Sequence, residues 1–208
     1  MVDVSKSDAL DGPVPSPEDA VVSTAGATSH VFEDGEVVGH VLLLDLDSAD
    51  LLDAVKVADA LDGVAAVLRS SEGSHHVWCL DVRDFREQTV RALSYHDGDD
   101  AHVGSSWRRG YAVLRVVGKV RADGATYKRR PTVRHVSPSG ADGDHSAAHG
   151  AMLRSLTEEQ PEDPQGDPSA LGPTDGPESV RYVGDAEDLR LDSYQTLTDD
   201  GKAALRGE

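Results

Sequence analysis

Two acidic residues close an aliphatic run, Val41-Leu42-Leu43-Leu44-Asp45-Leu46-Asp47. A run of that composition, followed by turn-prone residues, predicts a buried strand. Side chains alternate along a strand, so Asp45 and Asp47 share a face. Two carboxylates at the end of a buried strand repel each other and are costly to desolvate. A divalent cation between them removes both problems, and hard oxygen ligands suit Mg²⁺ or Mn²⁺. The plain alternative is a pair of solvated aspartates.

The second chemically suggestive group is cationic. Residues 107–135 hold nine Arg or Lys against one acid, Asp123, for a net charge of +8. The flanking parts are opposite in sign, with -15 over residues 1–106 and -11 over residues 136–208. Cations concentrated on one segment suit phosphate groups, either of a nucleotide or of a nucleic-acid backbone. Arginines serving only internal ion pairs would be interspersed with acids instead.

The elements that must position these residues are legible in outline. Ser29 to Phe32 and Val37 to Leu44 read as two strands joined by a turn at Glu33-Asp34-Gly35-Glu36. Ser48 to Leu61 changes to a helical period, with Leu51, Leu52, Val55, Ala58 and Leu61 on one face, Ser48 as N-cap and Asp62-Gly63 as the stop. Val64 to Arg69 and His75 to Val82 read as a hairpin around Ser70-Ser71-Glu72-Gly73-Ser74, with Trp78 in the core on the face of His76. His75 and His76 then point opposite ways, and the plain alternative to a functional histidine is one exposed and one packed, hydrogen-bonded side chain. Asp84 to Leu93 reads as a helix, Asp97 to Asp100 as a loop or helix entry, and Tyr111 to Val117 as a strand. Gly118 to Gly124 reads as a loop, and Ala125 to Val136 as a last strand interrupted at Pro131. The order predicts an α+β domain over residues 29–136, with a largely antiparallel sheet and flanking helices. Residues 1–28 are expected to be disordered, residues 137–179 to be an acidic Gly/Pro-rich linker, and residues 180–208 to form a short strand and a helix opened by Thr198.

Composition narrows the classes. The net charge is -18 with a pI near 4.7, and arginine far outnumbers lysine. Abundant acids, scarce lysine and few aromatics resemble the proteins of salt-loving archaea, whose acidic surfaces say little about partners. Cys79 is the single cysteine, which excludes a disulfide framework and a Cys-based zinc site. No apolar run of membrane length is present, so a cytoplasmic protein with no membrane partner is expected.

Three pieces stand in order: the strand ending Asp45-Leu46-Asp47, the hairpin Ser71-Glu72-Gly73-Ser74-His75-His76-Val77-Trp78, and Asp100-Ala101-His102-Val103 followed by Leu114-Arg115-Val116-Val117-Gly118-Lys119. The set resembles the archaeo-eukaryotic primase superfamily over about Val37 to Gly124. That family carries Asp-x-Asp at a strand end, a Ser-Gly-x-Gly-x-His turn, a third acid in a segment like Asp-x-x-Val, and an Arg-Leu-Pro-Gly-Ser-like stretch. The resemblance implies that Asp45, Asp47 and Asp100 are catalytic carboxylates holding Mg²⁺ or Mn²⁺, with Asp97 and Asp99 competing for the third place. It implies that Ser71 and His76 meet the phosphates of the incoming nucleotide, and that Arg115 and Lys119 lie near phosphate or template. The expected activity is metal-dependent nucleotidyl transfer in replication, in a halophilic archaeon or its virus or plasmid. Expected partners are nucleoside triphosphates, single-stranded DNA or a primed template, and other replication proteins. Departures are visible: Glu72 and Ser74 stand where glycines are usual, and Val117 and Lys119 replace Pro and Ser. A second reading, from another class, is therefore a non-catalytic nucleic-acid-binding accessory protein on a degenerate primase-like fold. Haloacid-dehalogenase phosphatases also start with Asp-x-Asp but want Thr or Val where Ala49 stands. Glycosyltransferases want a larger, mostly parallel sheet.

Overall fold

The computed structural model describes residues 9–11, 26–95, 100–120, 126–128, 130–137, 145–158, 164–172, 182–183 and 196–208. Its centre is the long strand β4. The short strands β1 (Leu10–Asp11), β2 (Gly26–Thr28) and β3 (His30–Glu33) precede β4 (Glu36–Asp47), which is followed by α1 (Leu51–Ala60). Next come β5 (Ala65–Ser71), β6 (Ser74–Arg83), α2 (Phe85–Tyr95), α3 (Asp100–Arg109) and β7 (Val113–Arg115). The chain continues through β8 (Lys119–Val120), β9 (Thr126–Lys128), β10 (Thr132–Ser137), α4 (Ala147–Glu158) and β11 (Gln165–Gly166). A 3-10 turn (Pro168–Leu171), β12 (Tyr182–Val183), β13 (Thr196–Leu197) and α5 (Asp199–Arg206) complete it.

Six strands form the main sheet in the order β11-β10-β5-β6-β4-β3, with only the β10–β11 pair parallel. β4 and β5 are both antiparallel to β6, which lies between them. They are therefore parallel to each other and joined by α1, a split β-α-β unit. The mixed α+β class with a mostly antiparallel sheet agrees with the expectation. Gly73, at a φ of 71°, lets the β5–β6 hairpin close in two residues.

Alternation along the strands divides the core in two. Leu43, Leu68, Trp78 and Leu80 face one way, and the small sheet β12-β2-β7 covers them with Ala27 and Leu114, together with Leu153 and Leu156 of α4. Leu42, Leu44, Val67, Val77 and Cys79 face the other way, under α1, α2, α3 and α5. Each fully buried leucine contributes roughly 1.5–3 kcal/mol. Beyond His40, β4 no longer pairs with β3. α3 covers that edge, where the His102 Nε2–H donates to the Leu43 carbonyl at 3.3 Å. An uncovered edge would expose unpaired backbone groups.

Several expectations are corrected. Ser48 does not cap α1: it sits at a φ of 69°, and the Asp50 side chain accepts from the Asp53 N–H at 2.9 Å. The buried residues of α1 are Ala54 and Ala58, while Leu52 is 63 % exposed. The segment read as a linker contains α4, whose Leu153 is fully buried. The apolar residues of α4 are interrupted by His149-Gly150 and Arg154-Ser155 and set in Gly- and Pro-rich sequence, which disguises the helix. Within the stretch expected to be disordered, β1 pairs with β13 and β2 pairs with β7. Pro131 does divide the last expected strand, leaving β9 and β10 in different sheets. Thr198 caps α5 as expected, its hydroxyl accepting from the Gly201 N–H at 3.1 Å. Among the described residues no helix is long and apolar enough to cross a membrane.

Candidate functional site

The register of β4 against β6 sets Asp45 opposite His76 and Asp47 opposite Ser74. Cross-strand partners present their side chains on the same face. Asp45 and His76 thus extend the row Leu43–Trp78 past the edge of the apolar core. The His76 Nε2 lies 3.7 Å from the Asp45 Oδ1, with the two side chains 5 % and 25 % exposed. That is longer than a hydrogen bond.

Asp47 is held more closely. The Ser74 hydroxyl donates to the Asp47 Oδ1 at 2.6 Å, and the Ser70 hydroxyl lies 3.1 Å from the Ser74 hydroxyl. This hydroxyl chain ties both ends of the β5–β6 hairpin to the acidic strand end. The His75 Nδ1–H donates to the Ala49 carbonyl at 2.9 Å, fixing the turn after β4. Both histidines are buried, so the alternative in which one is simply exposed does not hold.

Arg115 enters from the small sheet. It is 8 % exposed, and its guanidinium donates to the Ser70 carbonyl at 2.6 Å and the Val117 carbonyl at 2.7 Å. Burial lowers its pKa, and the charge of Asp45 acts in the opposite direction. Carboxylate, imidazole and guanidinium therefore converge from β4, β6 and β7 on one sheet face.

The other expected residues fall elsewhere. Asp100 opens α3 and forms a short ion pair with Lys202 of α5. Asp97 and Asp99 lie outside the described residues. Ser71 ends β5 opposite Ser74, and the serine that hydrogen-bonds there is its neighbour Ser70. Lys119 lies in β8, paired with Lys128 of β9. His102 is held to a pKa of about 4, chiefly by burial and then by Arg109, so it is a neutral donor to β4. Among the described residues no group of three or more His, Cys, Asp or Glu side chains is placed to hold a metal. Asp45 and Asp47 offer two carboxylates from one strand face. That donor set does not fit a closed protein cage.

A different carboxylate centre occupies the far end of β6. Asp81 accepts from the Arg83 Nε at 2.6 Å and from the Arg91 Nη1 at 2.9 Å on each oxygen, and the Cys79 thiol donates to it at 3.0 Å. Gln88 ties the Asp81 carbonyl to that of His40. Burial is the largest influence on the Asp81 carboxyl and opposes ionisation, but its donors together hold the pKa below the usual range. Burial first, and Asp81 second, push the Cys79 thiol up to about 12, so it is an inert packed group. Sequence reading missed this centre, because nothing in the linear order of Asp81, Arg83 and Arg91 separates it from other surface charges.

Compared with known proteins, the chain matches no family model, no curated protein and no solved structure.

Proposed function

We propose that the face carrying Asp45, His76 and Arg115 binds the triphosphate of a nucleotide, and that the domain is a primase-polymerase-like nucleotidyltransferase acting on a single-stranded or primed template. The observation that supports this most is the cross-strand register Asp45–His76, reached by a buried Arg115. Imidazole and guanidinium groups suit phosphate oxygens. A bare carboxylate between them would repel phosphate, whereas one sharing a divalent cation with it would attract. Asp45 and Asp47 would hold Mg²⁺ or Mn²⁺, which supplies charge neutralisation for pyrophosphate departure. His76 would donate to a phosphate oxygen, and Arg115, fixed by two carbonyls, would add fixed positive charge at little reorganisation cost. Ser70 and Ser74 hold the hairpin and the acidic strand together as one rigid unit.

The second reading, a non-catalytic accessory protein, is favoured by one observation. Asp100, which the family resemblance makes the third carboxylate, is paired with Lys202. Nucleotide incorporation on primed and unprimed single-stranded templates, in strong KCl with Mn²⁺, separates the two. Extension that Asp45→Ala/Asp47→Ala protein lacks supports the enzyme. Manganese-dependent nucleotide binding without extension leaves a decayed or partner-dependent enzyme, and neither activity overturns the enzyme and supports the accessory reading.

A further inference from the structure

The chain passes from the small sheet β12-β2-β7 to the main sheet at Thr28-Ser29-His30, where β2 ends and β3 begins. All three residues are buried, and polar residues so placed need partners. Ser29 uses every polar group it has. Its N–H donates to the Ala112 carbonyl at 2.9 Å, its carbonyl accepts from the Val41 N–H at 2.9 Å, and its hydroxyl oxygen accepts from the Ala112 N–H at 3.0 Å. Ala112 leads into β7 and Val41 lies in β4, so this one residue ties the two sheets together.

Two imidazoles complete the joint, both from the main-sheet side. The Ser29 hydroxyl lies 3.0 Å from the His40 Nδ1, and with its oxygen taken by Ala112 its proton is left for that nitrogen. On α4, the His149 Nε2–H donates to the Thr28 carbonyl at 2.8 Å, and the Nδ1 accepts from the Ser146 hydroxyl at 2.7 Å. A carbonyl only accepts, so its position selects this tautomer. Each ring therefore takes a hydroxyl proton on its lone-pair nitrogen. A second ring proton removes that hydrogen bond and adds a buried charge.

The surroundings oppose that charge. Burial is the first influence on both rings and holds each to about 4. His30 of β3 faces both and adds to the effect, with its ring centre 5.0 Å from that of His40. His149 also faces His40, while Asp84, ahead of α2, acts on His40 in the opposite direction. The Thr28 carbonyl does the same for His149, whose ring meets the edge of Trp78.

We infer that the Thr28-Ser29-His30 crossover is an acid-operated hinge: protonation of His40 and His149 releases the small sheet from the main sheet, and Arg115 on β7 with it. The inference needs no bound nucleotide and stands apart from the proposed activity.

A group whose pKa is depressed in the closed form stabilises that form above its ordinary value, and the contribution is lost as pH falls. The closed joint is thus favoured above about 6.5 and weakens toward 4. Between pH 7 and pH 5 each imidazole should favour the open form roughly 20-fold, and the two together roughly 400-fold. Native-state amide hydrogen exchange of the full chain, read by NMR at both pH values as protection factors, tests this. The β2–β7 amides should lose protection by about that factor. They should also be less protected than the β4–β6 ladder at both pH values, because they open without it. His149→Gln keeps a donor for the Thr28 carbonyl but does not titrate, and should cut the loss to roughly 20-fold. His40→Asn, on another element, should do the same. Thermal melts identify a variant that fails to fold, and the comparison of the two ladders in the unaltered chain stands without either. Equal protection of β2–β7 and β4–β6 at both pH values overturns the hinge, since the molecule then opens only as a whole. Protection of β2–β7 that does not change with pH, or the full loss retained in a folded variant, overturns the role of the imidazoles.

Discussion

Asp45 and Asp81 sit on neighbouring strands of one sheet and are provided for in opposite ways. Asp81 is bonded directly to Arg83, Arg91 and Cys79 at 2.6–3.0 Å, with its side chain 11 % exposed. Asp45 meets His76 at 3.7 Å with its side chain 25 % exposed. A buried carboxylate surrounded by tight donors is part of the scaffold, since removing it leaves the largely buried Arg91 without a carboxylate and Arg83 with only Glu87. Asp45 stands beside a buried imidazole at longer range and with more of its side chain exposed, the less tightly fitted of the two. The contrast teaches that composition alone does not mark a site: both centres contain an acid and a basic side chain, and only the fit between them differs.

Acidification should produce the largest effect and bears on both centres. His40, His102 and His149 are each held to about 4, with burial the first cause in every case. The unfolded chain takes up these protons below about 6.5 while the folded chain resists until about 4. Stability should therefore fall as pH drops through that window, by roughly 1.4 kcal/mol for each group per pH step of one. Asp81, whose carboxyl is held below the usual range, should stay ionised there. Its contribution is present above the unfolded carboxylate pKa and lost only at lower pH. Urea midpoints measured between pH 7 and pH 4 check this. A flat profile would show that the imidazoles are not held neutral.

Asp81→Ala comes next. It leaves Arg83 and Arg91 without their shared partner and should cost about 3–5 kcal/mol in urea unfolding. Asp45→Ala/Asp47→Ala should change stability by only about 1 kcal/mol, since loss of the Ser74–Asp47 hydrogen bond is set against relief of carboxylate repulsion. The same protein should lose manganese-dependent nucleotide binding, measured by calorimetry. If Asp45 proves as costly to remove as Asp81, the contrast collapses and Asp45 is scaffold too. The smallest effect belongs to Lys202→Ala. Its partner Asp100 is 40 % exposed, so the loss should be about 0–1 kcal/mol and vanish in strong salt. Enhanced nucleotide binding in that variant would indicate that α5 restrains Asp100.

The local elements were largely written in the chain, because period and turn chemistry are short-range properties. Apolar strand composition placed β4 and β6, the turn around Gly73 joined β5 to β6, and Thr198 marked the start of α5. The face shared by Asp45 and Asp47, and the core position of Trp78 on the side of His76, followed from the same period of two. Other features depended on partners distant in sequence. α4 reads as linker until Leu153 and Leu156 meet the sheet, and β2 has no strand signal until β7 lies beside it. Arg115 reaches the β5–β6 hairpin only through packing, which brings it to the Ser70 carbonyl 45 residues earlier. Asp100 leaves the expected carboxylate group because Lys202, from the other end of the chain, pairs with it. Residue type and spacing determine which groups are available and which way they point from their own element. Which charges meet, and which stay open to a ligand, is decided by packing between elements, because ion pairing and desolvation act at a few ångströms of space and not along the chain.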